Sequence, residues 1–167
     1  MITTGQPGEH EGGPQMYYLD TIKVRFAGER PTDVAGDPMG AMRQVRQVLE
    51  TTEAPPDQET FGFLALDSRH RLIGFRVLYT GASNCTPVEV RQVFRDALAL
   101  SAVGIILFHT HPSGDLTPSA DDESLTRQAV AAGRIVGISV LDHIIHDSDA
   151  SRVYAVSMRQ ARAGVFA

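Results

Sequence analysis

Apolar and polar positions along this chain change period several times, and each change marks an element. Residues 1–15 show no period at all: Gly5, Pro7, Gly8, Gly12, Gly13 and Pro14 sit among polar neighbours, as in a disordered tail. From Met16 to Phe26 the pattern turns extended, with Leu19, Ile22, Val24 and Phe26 as apolar positions of a first strand. A loop over Gly28–Gly36 leads to Asp37 and Pro38, a good cap and first helical residue. The helix they open runs to about Glu50, with Met39, Met42, Val45 and Val48-Leu49 as its apolar stripe. Pro55-Pro56 breaks the chain.

Two strands follow, at about Glu59–Leu66 and Leu72–Tyr79, joined as a hairpin by Asp67-Ser68-Arg69-His70. After a loop over Gly81–Cys85, Thr86-Pro87-Val88-Glu89 has the form of a capping box with proline at the first helical position. That helix is expected to reach about Leu100 and to bury Val90, Phe94, Ala97 and Leu98. Ala102–Phe108 is a short, β-branched apolar run, the mark of a buried strand. Ser119 is placed as the N-cap of a helix reaching about Ala132, with Leu125, Ala129 and Ala132 inward and Gly133 ending it. Ile135–Val140, Leu141–Ile145 and Val153–Met158 read as strands, and Arg159–Ala167 as a short tail or helix. Strands and helices mixed in this order predict one domain over 16–167, a sheet covered by helices on both faces, of α/β or α+β class.

Composition narrows the function classes. A net charge of −5 and the lack of any basic run weigh against a broad nucleic-acid surface. No apolar run approaches the roughly 18–20 residues of a membrane span, and the N-terminus lacks the basic and apolar regions of a signal peptide. Cys85 is the single cysteine, which rules out an intrachain disulfide and points to a reducing, cytoplasmic setting. It reads as a small filler near a loop.

The chemistry gathers in His109-Thr-His-Pro-Ser-Gly-Asp-Leu-Thr-Pro-Ser-Ala-Asp-Asp122. Residues two apart on a strand share a face, so His109 and His111 project together from the end of the Ala102–Phe108 strand. Imidazoles so placed can share one metal at roughly 2.0–2.1 Å. Pro112 ends the strand, and Ser113 and Asp115 shape the turn through local hydrogen bonds. Two histidines and a carboxylate leave a fourth position for water on zinc, the layout of a catalytic site. Asp122 is also well placed as the capping partner of Ser119, while Asp121 is expected to face water. Asp142 and His143 interrupt an apolar stretch, either as satisfied core polar groups or as residues that steer a metal ligand. His10, His70 and His146 read as surface residues.

The spacing His109-x-His111, seven residues, Ser119, two residues, Asp122 resembles the JAMM metalloprotease signature of JAB/MPN domains. With Leu141-Asp142-His143-Ile144-Ile145 downstream, the chain is similar to the RadC branch of that superfamily over about Asp37–Tyr154. RadC proteins usually carry Asn between the two histidines, where Thr110 stands here as in peptidase members. Full-length RadC also has a helix-hairpin-helix segment, for which a chain of this length has no room. The resemblance implies a three-layer α-β-α JAB/MPN (deaminase-like) fold with a central mixed sheet, and Zn2+ held by His109, His111 and Asp122. One cysteine cannot supply the deaminases' own metal site. The resemblance further implies that the Ser119 hydroxyl supports the oxyanion of a tetrahedral intermediate. It also implies a general base, a glutamate near the start of an earlier strand. Glu59 matches that position, with Glu53 and Glu89 as rivals.

Three functions follow as expectations. A zinc metallopeptidase or isopeptidase would cleave after the C-terminal tail of a ubiquitin-like protein, in company with conjugation enzymes. A RadC-type factor in DNA repair or recombination would act without peptidase activity, though DNA finds little visible purchase here. A metal-free scaffold would need the ligands lost, and they are present.

Overall fold

The β-branched run that leads into the two histidines folds as the middle strand of a five-stranded sheet. The structure is a computed structural model that describes residues 38–52, 55–81, 88–147 and 155–167. Helix α1 spans Pro38–Thr51, strands β1 and β2 span Glu59–Leu66 and Leu72–Gly81, and α2 spans Val90–Ala99. Strand β3 is Gly104–His111, α3 is Ala120–Val136, and β4 is Ser139–Asp147. Strand β5 (Ala155–Ser157), α4 (Met158–Ala161) and a 3-10 turn (Ala163–Phe166) complete the described chain. The expected tail 1–15, the strand 16–26 and the loop bearing Cys85 lie outside the described residues.

The sheet order is β2-β1-β3-β4-β5. Strand β1 runs antiparallel to both β2 and β3, β4 is parallel to β3, and β5 is antiparallel to β4. Parallel neighbours need a crossover, and α3 supplies it between β3 and β4. Alternation along β3 feeds two cores. Ile106 and Phe108 join Leu64, Leu66 and Ile144 beneath Ala41, Val45, Val48 and Leu49 of α1. Ile105 and Leu107 join Phe61, Phe63 and Ala65 beneath Val93, Phe94 and Ala97 of α2 and Ala129 of α3. Burial of each such large side chain contributes roughly 1.5–3 kcal/mol, so both faces are needed to hold the sheet. The protein is therefore a three-layer α-β-α sandwich around a mixed sheet, the fold that the resemblance implied.

Local expectations failed where a distant partner decided the outcome. Helix α2 starts at Val90, not at the expected Thr86-Pro87 box. Glu89 is its extended N-cap without a side-chain cap bond, and it pairs with Arg91 instead, while Val88 packs into the apolar cluster. Leu98 is 55% exposed because it lies one residue past the stripe Val90, Val93-Phe94, Ala97. Met39 of α1 is likewise exposed, and Ala41 takes an inward place. Helix α3 does not end at Gly133 but at Gly137, whose φ of 78° gives the left-handed turn. Gly133 lies inside the helix, and the position takes glycine because a Cβ there would stand 2.4 Å from the Ile138 carbonyl oxygen. Ile135 and Val136, expected in a strand, are the exposed last residues of α3. The rest of the expected strand Ile135–Val140 and the expected strand Leu141–Ile145 form one strand, β4, from Ser139. Met158, expected at a strand end, opens α4, and Ser157 caps it.

Candidate metal centre

The two histidines stand at the carboxyl end of β3, and the carboxylate stands in the first turn of α3. In open sheets with parallel strands, that junction of strand end and helix start is the usual place for a ligand. The loop between them is built from its own side chains. Asp115 N–H donates to Ser113 Oγ (3.3 Å) and Thr117 N–H to Asp115 Oδ1 (2.9 Å), and this second bond holds the Asp115 carboxyl below its usual range. Helix α3 then starts on a reciprocal capping box. Asp122 N–H donates to Ser119 Oγ at 3.1 Å, and Ser119 N–H donates to Asp122 Oδ2 at 2.7 Å. The Ser119 hydroxyl also gives its proton to Asp122 Oδ2, at 2.6 Å.

The capping box aims the other carboxylate oxygen at the histidines. Asp122 Oδ1 lies 3.1 Å from His109 Nε2, and Oδ2 lies 3.7 Å from His111 Nε2. The two Nε2 atoms are 2.8 Å apart. Ligands at tetrahedral angles around zinc, with bonds of roughly 2.0–2.1 Å, would be about 3.3 Å apart, close to the separations of His109 Nε2 from His111 Nε2 and from Asp122 Oδ1. Donor atoms of all three residues lie within 4.8 Å of one another, and the two-nitrogen, one-oxygen set suits zinc. The residues fit the metal.

Each ligand is also prepared electrostatically. The Asp122 carboxyl is pushed up by burial, but the neighbouring His109 and the hydrogen bonds from Ser119 outweigh that and hold it well below its usual range. His111 Nδ1 faces the Asp115 carbonyl oxygen, which can only accept, so a proton sits on Nδ1 and Nε2 is the nitrogen turned to the centre. His109 Nδ1 lies 2.8 Å from Nε2 of His143, which is fully buried on β4. Burial pushes His143 well below the ordinary histidine range, which favours its neutral form.

Glu59 begins β1, half-buried. The antiparallel register pairs Phe61 with His109, and Glu59 shares the face of Phe61 by alternation. Continued two residues, that register sets Glu59 opposite His111, on the face that carries both histidines. Of its rivals, Glu53 is outside the described residues, and Glu89 is exposed at the start of α2 beside Arg91. Asp121 is exposed, as expected.

His146 was expected at the surface and is 2% exposed: β4, an inner strand, places it opposite the buried Thr110. Asp142 is a satisfied core group. It accepts from Ser157 Oγ (2.5 Å), from Arg159 N–H (3.0 Å) and from His143 N–H (2.7 Å), although burial still pushes its carboxyl up. Thr126 is the residue that sequence reasoning passed over. Its hydroxyl touches His143 Nδ1 at 2.6 Å. The available signal was a hydroxyl in the inward stripe of α3, one turn after Asp122 and one before Ala129.

A family model described as RadC-like JAB domain matches residues 39–163. A UPF0758 protein of Roseiflexus castenholzii is 36% identical over 127 residues, covering 76% of this chain and 50% of the relative. One from Pseudomonas fluorescens is 46% identical over 103 residues (62% and 46% of the two chains). Another, from Pseudomonas syringae pv. syringae, is 42% identical over 129 residues (77% and 53%). The chain thus spans about half the length of the curated relatives it matches.

Proposed function

Because this chain belongs to the RadC-like JAB domain family, we propose that it is a zinc-dependent metallopeptidase or isopeptidase, acting after the C-terminal tail of a ubiquitin-like protein. The observation that carries the reading is the convergence of His109 Nε2, His111 Nε2 and the Asp122 carboxylate at one strand end and helix start. These three residues would hold the zinc. When bound, zinc supplies Lewis acidity, which lowers the pKa of water and polarises a carbonyl.

The chain's own groups do the rest. Glu59 takes a proton from the attacking water as the new carbon–oxygen bond forms. It returns that proton to the leaving amine as the carbon–nitrogen bond breaks. Ser119 supports the oxyanion once its hydroxyl turns away from Asp122 Oδ2, where it points in this structure. The tail of a ubiquitin-like protein as substrate, and conjugation enzymes as neighbours, rest on the resemblance to JAMM enzymes. The single cysteine suits work in the cytoplasm, and no helix of the described residues is long and apolar enough to cross a membrane.

Purified protein should contain one zinc per chain by elemental analysis and cleave a ubiquitin-like fusion. A chelator should abolish the cleavage, and added zinc should restore it. Cleavage undiminished in His109→Ala/His111→Ala protein would overturn the reading.

A further inference from the structure

We propose that His143 is a positioning residue of this centre, fixing the proton of His109 on Nδ1 so that His109 Nε2 offers its lone pair to the metal. The proposal rests on the metal-centre reading above. A histidine that binds metal ordinarily gives its other N–H to a carboxylate, a carbonyl or water, acceptors that force the proton to one side. His111 does this with the Asp115 carbonyl. His109 instead faces a second imidazole, whose nitrogen can present either a proton or a lone pair. Something beyond His143 must therefore set the direction, and Thr126 does so.

The Thr126 hydroxyl has one proton and lies 2.6 Å from the backbone carbonyl oxygen of Asp122, one helical turn earlier. A carbonyl only accepts, so the proton goes there, and Thr126 Oγ1 is left to accept from His143 Nδ1 at 2.6 Å. His143, neutral and fully buried, then carries its proton on Nδ1, and its bare Nε2 accepts from His109 Nδ1 at 2.8 Å. The opposite direction would put a proton on His109 Nε2, the atom 2.8 Å from His111 Nε2 and 3.1 Å from Asp122 Oδ1. The His143 ring is held on a third side by the edge of Phe61, with centroids 5.9 Å apart and planes at 83°. A flip of the imidazole would break both of its hydrogen bonds. The chain of bonds begins at the Asp122 carbonyl and ends at His109 Nδ1, so two of the three ligands stand at its two ends.

The test reads tautomers first. Long-range proton–nitrogen spectra of histidine-labelled protein should show the His143 proton on Nδ1, metal-free and zinc-loaded, and the His109 proton on Nδ1 in the zinc-loaded protein. His143→Leu should lower zinc affinity about 10- to 100-fold in a competition titration. His143→Gln, whose amide oxygen still accepts from His109, should recover most of it. Thr126→Val should move the His143 proton toward Nε2 and weaken zinc as well, which no purely structural role of His143 would produce. Should the leucine variant fail to fold, the glutamine and valine variants and the parent spectra decide. His143 carrying its proton on Nε2 in the metal-free parent overturns the proposal, as does a folded leucine variant that binds zinc like the parent. A parent that takes up no zinc removes the metal-centre reading together with this role. Zinc uptake with an unchanged leucine variant removes the role alone.

Discussion

The two faces of β3 bury polar groups at the same end of the strand and put them to different uses. On the α1 side, Thr110 accepts from the Thr60 backbone N–H at 2.9 Å and reaches the Gln58 carbonyl at 3.4 Å. Both of these protons have an acceptor, and the bonds tie β1 and the residue before it to β3. On the α3 side, His109, His111 and Asp122 bring lone pairs toward one another, while their protons are drawn outward to Asp115 and His143. A closed set of bonds holds strands together, whereas lone pairs facing inward call for a cation. Burial alone does not mark a site. The direction in which the protons point does.

That contrast can be broken most sharply at the histidines. In His109→Ala/His111→Ala protein, elemental analysis should find no zinc while circular dichroism shows the fold retained. Equal metal in the variant and the parent would mean that the inward lone pairs are incidental. Glu59→Gln comes next, because glutamine keeps the shape and one acceptor but carries no proton. It should keep zinc yet cleave at least about a hundredfold more slowly in a steady-state assay. Glu53→Gln and Glu89→Gln should cleave at close to the parent rate, and a dead variant among these two with a normal Glu59→Gln would misplace the base.

Thr110→Val tests the other face. Leaving the buried Thr60 N–H without an acceptor should cost about 1–3 kcal/mol in denaturant unfolding. Zinc affinity should not move, and a parallel fall in affinity would show that the two faces are not separate. The smallest effect is expected for Ser119→Ala, about 1 kcal/mol from the lost helix cap. It should retain zinc and turn over more slowly. Full activity with a lowered melting temperature would confine Ser119 to the cap.

What the sequence revealed depends on how far apart the interacting residues are. Ser119 and Asp122 are three residues apart, and the His109/His111 pair two, so a cap and a shared face were legible from local geometry. The hairpin was legible too, because its turn is four residues long. Gly133 and Gly137 look alike in sequence, and only the approach of the Ile138 carbonyl tells which one the helix runs through. His146 became a core residue, and His143 a partner of His109, through the β3–β4 register, which no local pattern encodes. Both stand out beforehand only as polar interruptions in an apolar strand. The start of α2 was misjudged for the same reason, since Val88 answers to the apolar cluster rather than to its capping neighbours.

The Asp122 carboxylate divides its oxygens, Oδ2 closing the cap of α3 and Oδ1 facing His109. In the proposed centre, metal occupancy and the first turn of α3 would therefore be thermodynamically linked. A ligand that binds only the folded state at a hundred times its Kd adds about 2.7 kcal/mol of apparent stability. Part of that gain should appear locally, as slower amide hydrogen exchange at Asp122 and Glu123, whose N–H groups bond back to Ser119. The linkage runs both ways. Whatever frays that turn, whether denaturant or a lost cap, would loosen a metal held there, and the proposed centre without its metal would leave the helix start softened.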